Sequence, residues 1–201
     1  MKIGVYIGSF NPVHVMHESI VNILLKEKTV DKIVIIPTNS SYNLKKGLAP
    51  YEDRFKMLEL AFQNQNVIIS DLEKTKYNFT YQNINLLKEK YLYDELYLIL
   101  GADNLFQFNT WQNYEEILKK CHLIIIGRDN LDMRVYINNN FTNYKLKFIV
   151  KDPVGELSST LIRDRINNGY EVENYLSDSV KEYISKNNLY KGDVYNDHTI
   201  R

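Results

Sequence analysis

Short continuous runs of apolar residues recur along the chain, each followed by a segment whose apolar positions repeat with helical spacing. Residues 3–7, 32–36, 67–69, 96–100, 122–126 and 147–150 form the runs. They do not alternate with polar residues, which is the pattern of strands covered on both faces. Between them the spacing predicts helices over 14–25, 51–62, 80–87, 114–119 and 131–137, then two more over 159–168 and 178–186. Met16, Ile20, Ile23 and Leu24 define the expected apolar face of the first helix, and Phe55, Leu58 and Phe62 that of the second. Thr80 is the expected N-cap of the third, and Ser158-Ser159-Thr160 caps the helix that ends at Asn168-Gly169. Strands alternating with helices predict an α/β fold, a Rossmann-like doubly wound parallel sheet with helices on both faces.

In such a sheet ligands bind beyond the carboxyl ends of the strands, near the reversal in strand order. The informative turns fall at those ends: Gly8-Ser9-Phe10, Gly101-Ala102-Asp103 and Ser158-Ser159. The first leads directly into a helix. First-turn N–H groups lack intrahelical partners and the helix dipole adds partial positive charge, so this turn is a candidate anion site. His14 and His17 stand three apart where the helix begins and can share a face. Residues 38–50 make a long polar loop of the kind that often carries function, and residues 70–79 read as a charged loop.

Composition narrows the classes. The 201 residues suit one core, with 1–190 expected as a single domain and 191–201 as a polar tail. Lysine and arginine number 25 against 25 acidic residues, which gives no electrostatic grip on nucleic acid or anionic membrane. No apolar run approaches the roughly 20 residues that span a bilayer. The single cysteine, Cys121, is expected in the core of a cytoplasmic protein. No metal cage is expected: His122 lies in a strand pattern, His198 in the tail, and no third ligand joins His14 and His17.

Gly8-Ser9-Phe10-Asn11-Pro12-Val13-His14-Val15-Met16-His17 resembles the G-[GST]-[ST]-F-D-P-x-H-x-G-H signature of the nucleotidyltransferase superfamily. Ser158-Ser159-Thr160-Leu161-Ile162-Arg163 resembles its second signature, S-S-T-x-I-R. Residues 53–58, 78–80, 100–103 with Trp111, and the ending Val180 to Tyr190 are similar to the bacterial nicotinate-nucleotide adenylyltransferases. Two positions depart from the pattern: Met16 replaces the glycine between the histidines and Asn11 the aspartate before proline. Met16 is expected to crowd a nucleotide that needs close backbone approach, and Asn11 to weaken contacts around the turn. The loop lacks the family's Pro-Pro-His-Lys run, which leaves Lys45 or Lys46 as its basic contact.

The resemblance implies adenylyl transfer from ATP to nicotinate mononucleotide, giving deamido-NAD and pyrophosphate. Such transfer asks mainly for alignment and charge neutralisation. His14, His17 and Arg163 are then the expected catalytic groups, the histidines titrating near neutrality and the arginine gripping the β- and γ-phosphates. Gly8, Ser9, Phe10, Gly101, Asp103 and Ser159 are expected at ATP, with Asp103 on ribose hydroxyls. Lys45, Thr80 and Trp111 are expected at the mononucleotide, and Mg²⁺ is expected with the triphosphate, held mainly by phosphates. ATP and a pyridine mononucleotide are the expected partners, without nucleic acid or membrane, in a possible homo-oligomer. Another small-molecule adenylyl- or cytidylyltransferase of the superfamily, or a catalytically weak nucleotide-binding module, is the alternative.

Overall fold

Continuous apolar strands need both faces covered, and helices placed alternately on each side of a parallel sheet supply that cover. The computed structural model describes residues 1–39, 47–76, 78–92, 94–127, 131–142, 144, 148–151 and 157–192. Six strands, β1 (Lys2–Gly8), β2 (Lys32–Pro37), β3 (Val67–Ile69), β4 (Glu95–Gly101), β5 (Cys121–Ile126) and β6 (Phe148–Lys151), form one sheet. Its order is β3-β2-β1-β4-β5-β6, and every neighbouring pair is parallel. Strand order reverses between β1 and β4, so the crevice for a ligand lies beyond Gly8 and Gly101.

The helices are α1 (Val15–Lys26), α2 (Tyr51–Ala61), α3 (Thr80–Lys90), α4 (Ala102–Leu105), α5 (Tyr114–Lys120), α6 (Leu131–Phe141), α7 (Ser159–Asn167) and α8 (Asp178–Lys186). Alternate strand residues divide the core in two. Ile33, Ile35, Tyr97, Ile99 and Ile124 pack with Leu24, Met57, Ile162 and Val180 on one face. Val5, Val34, Leu98, Leu100 and Leu123 pack with Ile84, Leu87, Ile117 and Phe108 on the other. Cys121 is buried in the second layer, as expected, and burial pushes its thiol up to about 12.

Several helix faces differ from expectation. The buried residues of α1 are Val21 and Leu24, while Met16 and Ile23 are half-exposed. The buried stripe therefore runs upward to His17, one helical step around from the expected face. In α2 the core side carries Tyr51, Arg54, Met57 and Leu58, with Phe55 only half-buried. Phe79, not Thr80, caps α3, whereas α7 is capped within the expected Ser158-Ser159-Thr160, by Ser158 accepting from the Leu161 N–H at 3.2 Å. Trp111 lies just past a 3₁₀ turn, Phe108–Thr110, with extended backbone. Phe148–Lys151 replaces the last expected strand, of which Lys147 lies outside the described residues. Also outside them are residues 40–46 and most of the tail, 193–201.

Candidate active site

The chain leaves β1 at Gly8 and turns through Ser9–Pro12 toward His14, the N-cap of α1. Phe10 holds a φ of 45°, in the left-handed region that few non-glycine residues occupy. Its buried ring stands edge-on to Tyr6 at 5.3 Å and to His17 at 5.1 Å. A Cβ on Gly8 would come within 3.2 Å of that ring, so the tight turn and the aromatic plug beneath it require each other. Under the turn lies Arg54, fully buried, whose Nη1 donates to the Ser9 carbonyl at 2.8 Å and Nε to the Ala49 carbonyl at 3.0 Å. Two carbonyls are thereby held down by a buried cation, which favours N–H groups facing the cleft.

The two histidines are stacked at the helix start, ring centroids 3.8 Å apart at 37°. The His14 backbone N–H donates to His17 Nδ1 at 3.2 Å. An Nδ1 that accepts leaves the proton of the neutral ring on Nε2, so His17 offers an N–H donor on its other edge. His17 lines the cleft; His14 Nδ1 is buried without a hydrogen-bond partner among the described residues. The expected titration near neutrality does not hold. Burial lowers His14 to about 4, and burial with the neighbouring His14 holds His17 well below the ordinary value. Both rings are therefore neutral at pH 7.

The cleft at the strand-order reversal measures about 310 Å³. Gly8, Ser9, Phe10 and His17 line one side and Gly101 and Asn104 the floor. Thr38, Glu73, Asn78, Thr80 and Trp111 line the cleft as well, and the Thr38 N–H donates to the Gly8 carbonyl at 2.9 Å. Trp111 is also packed on Phe108, ring centroids 5.1 Å apart, so it serves core and cleft together. Asp103 is exposed in the first turn of α4 and does not line the cleft, whereas its neighbour Asn104 does. Met16 does not line it either, which removes the expected crowding. Lys45 and Lys46 lie outside the described residues.

Residues from α7 reach the turn from behind. Ser159 Oγ donates to the Pro12 carbonyl at 2.9 Å, and Arg163 Nη1 donates to the Asn11 carbonyl at 3.0 Å. Arg163 Nη2 reaches Thr160 Oγ1 at 3.3 Å, while its Nε is buried without a partner among the described residues. Asn11 does more than the sequence indicates. Its side-chain oxygen accepts from the Ala49 N–H and from the Tyr190 hydroxyl, both at 2.9 Å, and its amide donates to the Gly47 carbonyl at 2.9 Å. The expected weakening of contacts at the turn is overturned, because the amide supplies a donor that aspartate lacks.

Sequence reasoning missed Arg54, Glu73, Thr38 and Asn104 as cleft-building residues. Within residues 53–58 the charge of Arg54 reads as a surface position. Nothing in a charged loop marks Glu73 as buried. Among the described residues no group of three or more His, Cys, Asp and Glu gathers in a way that could hold a metal, and no helix is long and apolar enough to cross a membrane.

Comparison with known proteins places this geometry. Residues 5–165 match the cytidylyltransferase-like family model. A protein of Fusobacterium nucleatum named "probable nicotinate-nucleotide adenylyltransferase" is 35% identical over 190 residues, covering 92% of this chain and 98% of its own. One of Flavobacterium johnsoniae with the same name is 36% identical, covering 95% and 100%. The Plasmodium falciparum nicotinic acid mononucleotide adenylyltransferase complexed with NaAD superposes with a TM-score of 0.78 at 21% identity, covering 94% of this chain and 97% of that one. Its likeness shows that the fold is shared.

Proposed function

Because this chain belongs to the cytidylyltransferase-like family, among the nicotinate-nucleotide adenylyltransferases, we propose that it transfers the adenylyl group of ATP to nicotinate mononucleotide. The observation that carries this reading is a cleft at the strand-order reversal that is lined by the Gly8–Phe10 turn and His17 and also by Thr80 and Trp111. The turn and the start of α1 take the ATP phosphates on N–H donors. Trp111 gives a face for the pyridine ring, and Thr80, at the first position of α3, gives a hydroxyl for its carboxylate.

A phosphate oxygen of the mononucleotide attacks the α-phosphorus of ATP. The bond from that phosphorus to the bridging oxygen breaks, and pyrophosphate leaves with the electron pair. The protein's part is alignment and stabilisation of the growing charge. His17 Nε2–H donates to a phosphate oxygen. His14 holds the His17 ring through its backbone N–H, and Arg163 braces the turn through the Asn11 carbonyl. Gly8, Ser9, Phe10 and Gly101 shape the ATP side, and Ser159 supports it through the Pro12 carbonyl. The carboxylate that faces the cleft, Glu73, already accepts from Asn39 and Asn83. A divalent ion therefore fits as a companion of the triphosphate, bound mainly by phosphate oxygens and water. When bound, Mg²⁺ neutralises charge on the departing pyrophosphate. Residues 1–190 form the working domain, in the cytoplasm.

Pyrophosphate release with ATP and Mg²⁺ tests this, run in parallel with nicotinate mononucleotide, nicotinamide mononucleotide and phosphopantetheine. Turnover with the first at least about tenfold above the others is expected, since a carboxylate site rejects an amide by at least that factor. Silence with all three, alongside ATP binding, overturns it.

A further inference from the structure

Glu73 comes from the segment between β3 and α3, yet it is fully buried and lines the cleft. Its Oε2 accepts from the Asn39 N–H at 2.9 Å, and its Oε1 accepts from Asn83 Nδ2 at 2.6 Å. Asn39 Nδ2 returns a bond to the Glu73 carbonyl at 2.7 Å. The Asn83 side-chain oxygen accepts from Asn78 Nδ2 at 3.1 Å, and the same Nδ2 reaches the Leu72 carbonyl at 3.3 Å. One carboxylate thus fastens the end of β2 to the start of α3.

The residues it fastens flank two cleft hydroxyls. Asn39 follows Thr38, whose Oγ1 is buried without a partner among the described residues, and Asn78 and Asn83 bracket Thr80. Only an acceptor fits at position 73, because donors face both oxygens. A glutamine there sets its NH₂ against an N–H whichever way it turns. Burial of the carboxylate raises its pKa, while the surrounding N–H donors and Arg54 oppose that rise.

We propose that Glu73 is a positioning residue for the acceptor nucleotide: it fixes the cleft wall at the start of α3, which bears Thr80, and so governs binding of the pyridine mononucleotide but not of ATP. This rests on the substrate reading above. The wall is held from behind by neutral donors on one charge, an arrangement with a strict geometric optimum.

The test uses Trp111, the one tryptophan of the chain, whose fluorescence reports occupancy of that wall without turnover. Nicotinate mononucleotide is titrated against wild type, Glu73→Gln and the double variant Glu73→Gln/Asn83→Asp, with ATP affinity measured by calorimetry. The double variant restores an acceptor opposite the new NH₂ while keeping the bond from Asn78. Glu73→Gln is expected to weaken mononucleotide binding about tenfold, the equivalent of one lost buried hydrogen bond to a charged group. ATP affinity is expected to stay within about twofold, and the double variant to recover most of the loss. Equal weakening toward both ligands, or none toward either, overturns the proposal, as does a double variant that regains thermal stability without mononucleotide affinity. If Glu73→Gln fails to fold, Asn83→Ala carries the test, with a smaller loss confined to the mononucleotide. A wild-type protein that binds ATP but no mononucleotide overturns the substrate reading. A wild type that binds and a Glu73→Gln that binds equally well overturns the role of Glu73 alone.

Discussion

The hydroxyl of Tyr190 donates to the side-chain oxygen of Asn11 at 2.9 Å, joining residues 179 apart in sequence inside the buried core. Tyr190, which follows α8, is thereby fixed to the turn between β1 and α1. The Asn11 amide passes the connection on to Gly47, where the chain comes back toward α2.

Loss of either half of this contact is a stability effect with a readable size. Tyr190→Phe keeps the ring and removes one hydrogen bond, so about 1 kcal/mol and a Tm lower by about 3 °C are expected. Asn11→Asp restores the residue of the family pattern but turns a carboxylate oxygen toward the Gly47 carbonyl. It is expected to cost about 2 kcal/mol. Thermal unfolding of both variants checks this, and an Asn11→Asp protein as stable as wild type would show that the Gly47 contact is dispensable.

His17→Ala removes the Nε2–H donor that faces the cleft. Loss of one donor aimed at developing charge typically lowers turnover by about 10²–10³. Since the ring also accepts from the His14 N–H, a small drop in Tm accompanies it. Steady-state pyrophosphate release measures the first and thermal unfolding the second. Unchanged turnover would remove His17 from the mechanism.

His14 sets a pH window for stability. Its folded pKa is depressed from 6.5 to about 4 by burial, so the unfolded chain takes up a proton more readily than the folded one. The stability held by the neutral buried ring is complete above about 6.5 and drains away as pH falls toward about 4. His17, shifted the same way, adds to the slope. Tm of the ligand-free protein is expected to fall across that interval, and His14→Gln, which has no titrating group there, is expected to flatten the curve. A His14→Gln profile as steep as wild type would assign the slope to other groups.

Met16 is half-exposed at the second position of α1 and does not line the cleft. Met16→Gly is expected to leave kcat/KM within about twofold and to cost up to about 1 kcal/mol through helix propensity. A collapse in activity, read in the same pyrophosphate assay, would mean that the site depends on the methionine.

The architecture was legible in the chain itself. Continuous apolar runs separated by helical periodicity determine a covered parallel sheet, because each run leaves no polar face for water. Turns at the carboxyl ends of those runs mark the crevice, since parallel strands bring all such ends to one edge. Gly8 and Gly101 could be chosen on that basis and His17 from its place at the start of α1, whereas Thr80 and Trp111 came with the family resemblance. Which helix face turns inward, and which buried polar groups find partners, only the tertiary structure decided. Met16 and Val21 are both apolar, and a shift of one step around α1 decides between them through packing on strands far away in sequence. Glu73 and Arg54 are indistinguishable from surface charges until Asn39, Asn83, Ser9 and Ala49 arrive from elsewhere with the donors and acceptors that make burial tolerable. Sequence pattern reports how much a segment prefers to leave water; the partner that makes a buried charge stable comes from another segment, and only folding brings it there.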